Sequence, residues 1–139
     1  MKLSVFPRAA AVAAAFATAA TAGLAAAPAG ATVHDQLSGR DCFATSDWQG
    51  WSAPSPDVLL LRVRNHDIYR VALAGGSHQL RWPGAFLIQE VRGSNRVCSA
   101  IDLDLSVADE TGFSQRLVPE SIRKLSPDEV AAIPKKDLP

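Results

Sequence analysis

Asp102 and Asp104 are the carboxylate pair best spaced for chemistry in this chain of 139 residues. On an extended strand, residues i and i+2 point to one face, about 7 Å apart. That separation suits general acid/base work or part of a calcium shell. With a histidine in reach it would make a small hydrolase or isomerase site, and His66 and His78 are the partners to consider. The bland reading competes: Ile101, Leu103, Leu105 and Val107 alternate with Asp102, Asp104, Ser106 and Ala108, the pattern of any half-exposed strand. A solvated strand face is therefore the expectation. No glycine-containing calcium loop surrounds the pair, and His34, His66 and His78 lack metal-ligand spacing, so no metal site and no cofactor are expected. Ser77 precedes His78, but sequence neighbours seldom have nucleophile–base geometry, and no Gly-x-Ser-x-Gly elbow is present.

Cys42 and Cys98 are the only thiols. They are not spaced as Cys-x-x-Cys and cannot form a four-thiolate zinc site, so a structural disulfide is expected. Trp48, Trp51 and Trp82 offer aromatic surface for a sugar or a protein partner, against the alternative that they cover the core; Trp51 is the one most suited to a core or lid role. Arg62, Arg64 and Arg70 fall on neighbouring strand segments and could line a small positive face, with Asp57 and Asp67 close enough in sequence to neutralise it. Trp48, Trp82, Arg62 and Arg64 are the residues expected on a binding surface.

Composition narrows the partner. Fourteen basic residues balance 14 acidic ones, which removes the basic footprint of a nucleic-acid binder. The charge is unevenly spread. Lys2 and Arg8 precede an uncharged stretch, Ala9 to Ala31, in which 15 of 23 residues are alanine. A basic start, an apolar middle and a small-residue end at Ala29-Gly30-Ala31 form a secretory signal, with cleavage expected after Ala31. Ala and Thr insert weakly into bilayers, so a retained membrane anchor is the lesser reading. Residues 32–139 then carry 12 basic and 14 acidic groups, a net charge of −2. Export to the periplasm or beyond implies an oxidising compartment, where a disulfide supports a small core.

The elements that position these residues read as mainly β: a small antiparallel sheet, a sandwich or a partly open barrel of about five or six strands, closed by a short C-terminal helix. Thr32 to Arg40 is polar and aperiodic, which suggests a mobile leading segment. Ser46-Asp47-Trp48-Gln49 has the form of a capping box but allows one helical turn at most before Gly50. Pro54-Ser55-Pro56 breaks the chain and launches a strand over Val58 to Arg64. A hairpin turn leads to a second strand, Ile68 to Leu73, with Tyr69, Val71 and Leu73 on one face. Further strands are expected over Ala85 to Val91, Ile101 to Ala108, and Phe113 to Val118. At the end, Ser126-Pro127-Asp128-Glu129 combines an N-cap, a first-turn proline and a capping-box acid, with Leu125 and Val130 at hydrophobic-staple positions.

Cys42, the Asp47 to Trp51 turn, the strand pair around Leu59 to Val63 and Tyr69 to Leu73, Gly75-Gly76 with Leu80, Cys98 and the closing Ile122-Arg123-Lys124-Leu125 together resemble a family. It is a family of small exported Gram-negative proteins grouped as a domain of unknown function, number 6491 in that series. The resemblance spans Cys42 to about Leu125. Many members carry a second cysteine pair near the positions of Ser77 and Leu117; its absence here argues against a shared thiol chemistry. The resemblance implies export and a disulfide, and no activity, cofactor or catalytic residue. The reading that results is a non-catalytic exported β domain that binds an envelope protein or polymer, with no nucleic acid and no stable membrane insertion after cleavage. The alternative is a small hydrolase or isomerase using Asp102 or Asp104 with a histidine.

Overall fold

Branched residues over Val58 to Arg64 and alternation over Ile68 to Leu73 make two adjacent strands, and the structure is built around the hairpin they form. The computed structural model describes residues Gln36 to Pro139, so the signal expected over residues 1–31 lies outside the described residues. The strands are β1 (Phe43–Ala44), β2 (Trp48–Ser55), β3 (Val58–Val63), β4 (Asp67–Leu73), β5 (Phe86–Glu90), β6 (Arg96–Val97), β7 (Asp104–Ala108), β8 (Ser114–Arg116) and β9 (Pro119–Lys124), followed by helix α1 (Pro127–Ala132). They form three antiparallel sheets, ordered β2-β3-β4-β9, β5-β7-β8 and β1-β6, with no closed barrel. The mainly-β expectation with a short C-terminal helix holds. The excess over five or six strands comes from the two-residue strands β1 and β6 and from β2.

β3 and β4 pair without a slip from Val58↔Ala72 to Val63↔Asp67. Leu59, Leu61, Val63, Tyr69, Val71 and Leu73 therefore share the inner face and are buried. They form one core with Ile122 of β9, Leu105 and Val107 of β7, and Phe43, Val97 and Leu117. At the hairpin tip, Arg64 (φ 51°) and Asn65 (φ 70°) adopt the left-handed conformation that side chains disfavour. Two bonds to the start of β2 hold the tip: Arg64 N–H donates to the Asp47 carbonyl and Asn65 N–H to Gln49 Oε1.

β2 was not expected as a strand, because Pro54 lies within it. Proline cannot donate to a ladder, so it is confined to edges and irregularities. β2 is such an edge, and its register shifts between Ser52 and Ser55. The leading segment is also more tied down than expected from Gln36 onward. Gln36 bridges to Ser99, and the Leu37 N–H donates to the Cys98 carbonyl. Gly76 shows why its loop uses glycine: at φ +57°, an added Cβ would lie 2.8 Å from the Pro56 carbonyl oxygen.

Cys42 and Cys98 form a disulfide across 56 positions of sequence, beside the two-residue β1-β6 ladder. The capping box on α1 forms as expected: Glu129 N–H donates to Ser126 Oγ and Ser126 N–H to Glu129 Oε2. That backbone N–H, together with Arg123, holds the Glu129 carboxyl below its ordinary pKa. Val130 and Ile133 then pack on Leu60, Ile68 and Leu125, a second apolar cluster on the outer face of the four-stranded sheet. No helix among the described residues is long and apolar enough to cross a membrane.

Two measurements test this construction. Replacing Cys42 and Cys98 by serine frees the loop in the unfolded chain and should cost about 4 kcal/mol, read as a lower urea midpoint. Tyr69 is the only tyrosine, fully buried, with its hydroxyl donating to the Asp41 carbonyl. Burial, then Asp67 and Asp41, push its pKa up to about 12, with Arg64 opposing. Its folded value exceeds the unfolded value of about 10, so its contribution to stability is full below that pH and lost as pH rises through the folded value. Phenolate absorbance should appear near pH 12 in the native protein and near pH 10 in urea; a native titration at the lower value contradicts the buried hydroxyl.

Candidate functional site

The two carboxylates lie on different elements and take different tasks. The regular strand expected from Ile101 begins only at Asp104, and Ala100 to Asp102 form a 3-10 turn instead. Ile101 is consequently 88% exposed, although the alternation assigned it to the core. The cause is local: Ser99-x-x-Asp102 is a capping box, and Asp102 Oδ2 accepts from the Cys98 N–H, the Ser99 N–H and Ser99 Oγ. Asp102 is thereby a backbone anchor beside the disulfide, on a turn and not on a shared strand face with Asp104.

Asp104 has a different task. It stands directly opposite Glu90 across the β5-β7 pair, an arrangement that repels like charges. Arg92 resolves it, reaching Glu90 Oε2 at 2.8 Å and Asp104 Oδ2 at 2.5 Å, while Arg116 reaches Asp104 Oδ1 at 3.0 Å. Glu90 and then Asp104 raise the Arg92 pKa. A polar recess of about 220 Å³ lies here, lined by Glu90, Arg92, Ser94, Asp102, Asp104 and Arg116.

Neither histidine joins this recess. His66 sits exposed at the hairpin tip, 3.5 Å from Asp67, which Lys124 holds more closely at 2.9 Å. His78 is exposed at the start of the 3-10 turn His78–Arg81. Its neighbour Ser77 is buried and donates to Gln115 Oε1 at 2.6 Å. Among the described residues, no hydrogen bond or ion pair connects Asp102 or Asp104 to a histidine, and no group of three metal-ligating side chains is assembled.

The tryptophans divide by role. Trp48 and Trp51 are half-buried against the main core, and the Trp48 indole N–H donates to the Gly50 carbonyl. Trp82 is 54% exposed. It opens the turn Trp82 to Ala85, in which Gly84 (φ +80°) supplies the positive φ that a type II turn needs after Pro83. That turn delivers the chain into β5, where Phe86 and Ile88 are exposed, with Val91 exposed just beyond. Leu87 on the opposite face packs on the core. β5 is an edge of its sheet. Its outer side therefore combines unpaired backbone groups with an apolar side-chain strip. Trp82 and the strand are legible in the sequence, but periodicity does not distinguish which of the two apolar faces of Phe86-Leu87-Ile88 is covered.

The arginines also regroup. Arg64, at the hairpin tip, is paired with Asp47 at 3.0 Å. Arg62 and Arg70 lie on the outer face of the four-stranded sheet, and Arg70 stands directly opposite Arg123 of β9. The positive face thus contains Arg123 in place of Arg64.

No family model, curated protein or solved structure matches this chain.

The division of labour between the two aspartates is measurable. Asp102→Ala removes the acceptor for two backbone N–H groups and should lower stability by about 1–2 kcal/mol. Asp104→Ala breaks a network whose arginines are largely exposed and should cost no more than about 1 kcal/mol. Equal urea midpoints for the two variants would contradict the anchoring role of Asp102.

Proposed function

We propose that this protein is an exported, non-catalytic β domain that works by binding, and that β5 is its docking edge. The observation that carries the reading is the run of exposed Trp82, Phe86, Ile88 and Val91 within ten residues that include an edge strand. An edge strand recognises an extended polypeptide by continuing the ladder, and alternate side chains set specificity. Phe86 and Ile88 supply an apolar strip for such a segment, and Glu90 and Arg92 supply charge at its end. The partner proposed is an extended segment of an envelope protein. Export is supported by the three-part pattern of residues 1–31, by the disulfide, and by the resemblance to a small exported family. The carboxylates of a hydrolase or isomerase are, by contrast, engaged by backbone N–H groups and arginines.

Site-specific photocrosslinking in the envelope of a Gram-negative host tests this reading. A benzophenone side chain at position 88 should give discrete protein adducts, and the same probe at position 120, on the other sheet, should not. Phe86→Ser should weaken the adducts without lowering the amount of folded protein. Adducts that are absent at position 88, or equal at both positions, overturn the docking edge.

A further inference from the structure

The outer face of the four-stranded sheet carries a second recess, between the sheet and the C-terminal segment. Its volume is about 450 Å³, inside the range of roughly 300–1,000 Å³ that small-molecule sites occupy. Val58, Leu60, Leu125, Ala132 and Ile133 make the lining largely apolar. The register shows what lies across the floor: Ser52 pairs with Leu60, Leu60 with Arg70, and Arg70 with Arg123, in one row over four strands.

Two guanidinium groups directly opposite each other repel, and such pairs destabilise a sheet unless something neutralises them. Glu129 does so for Arg123, at 2.7 Å. Arg70 has neither an ion-pair nor a side-chain hydrogen-bond partner among the described residues, although it is only half exposed and lines the recess. The other acid at the recess, Asp137, belongs to the segment whose backbone carbonyl accepts from Ser52 Oγ. Ser52 lies two strands from Arg70, about 10 Å at ordinary strand spacing. Ser55 and the Asp57 backbone N–H, then the field of Arg70, hold the Asp57 carboxyl below its ordinary range, but no ion pair joins Asp57 to Arg70 among the described residues. One end of the recess is therefore cationic, and its middle is apolar.

We propose that this recess binds a small amphipathic carboxylate, a single alkyl chain with one anionic head. The head sits on Arg70, beside Arg123, as guanidinium groups bind carboxylates in forked geometry. The chain runs along Val58 and Pro54, beside Ala132 and Ile133 of the C-terminal segment. Glu129 competes with the head for Arg123, so it limits affinity. This site is on a different sheet from β5, and its occupancy does not depend on the docking edge.

Calorimetric titration of the folded protein with decanoate, below its micellisation range, tests the assignment, with decanol as the neutral analogue. Saturable binding of one decanoate per chain is expected, at least tenfold tighter than decanol. Arg70→Gln should abolish that preference while leaving the ligand-free thermal midpoint unchanged or higher, because it relieves the repulsion with Arg123. Glu129→Gln should tighten decanoate binding, an effect opposite to that of a merely structural loss. Absence of saturable binding, equal affinity for decanol, or unchanged decanoate affinity in Arg70→Gln each overturns the proposal.

Discussion

The Cys42–Cys98 bond is the constraint on which the rest of the structure depends. It joins the residue before β1 to the residue after β6, and the ladder between those two strands is short. The β1-β6 ladder contains only Phe43↔Val97 and Ala44↔Arg96. Two-residue ladders are not stable in isolation. Yet Phe43 and Val97 are among the most deeply buried side chains, and Phe43 lies against Tyr69 with ring centroids 4.7 Å apart. The crosslink holds these two residues on the core, and Asp102 then fixes the backbone at Cys98 and Ser99. A domain this small gains more from such a tie than a large one, since its core buries a smaller fraction of the chain.

With the core closed in this way, the two larger sheets present very different outer faces. The four-stranded sheet is covered in part by α1, whose Val130 and Ile133 meet Leu60, Ile68 and Leu125. The cover is partial, and a recess with Arg70 at one end remains. Helix α1 packs on the four-stranded sheet and leaves the three-stranded one uncovered. The charged residues of that second sheet neutralise one another through Arg92 and Arg116, while Phe86 and Ile88 remain in solvent. Isolated exposed apolar residues are ordinary, whereas a run of them along an unpaired edge is unusual, and the proposed docking edge rests on it.

The parts legible in the sequence are those where one local rule acts alone. The β3-β4 hairpin follows from a run of branched residues, a short polar turn and the alternation over Ile68 to Leu73, and α1 from Ser126, Pro127 and Glu129. Where two local rules compete, the pattern of side chains does not show which one prevails. Ile101 to Val107 alternates like one strand, but the capping box at Ser99 and Asp102 bends the first part into a turn. The Ser-x-x-Asp spacing was available as a signal. At Ser46 the same kind of box does not close: Ser46 lies inside the 3-10 turn Thr45–Asp47, and Gln49 Oε1 accepts from the Asn65 N–H at the hairpin tip. Pro54 argued against β2, and only the position of that strand at the sheet edge makes the proline harmless.

By itself the sequence determined the mainly-β class, the central hairpin, the terminal helix and the pairing of the only two thiols, because each rests on residues that are close in the chain or have no alternative partner. The tertiary structure alone decided which charges meet and which apolar faces stay open. Arg70 meets Arg123 across 53 positions of sequence, and Asp104 meets Arg92 and Arg116 from two different segments. Those encounters depend on sheet register, and register is set by the whole core packing at once. The residues of both surfaces were therefore present in the sequence, while their grouping was not.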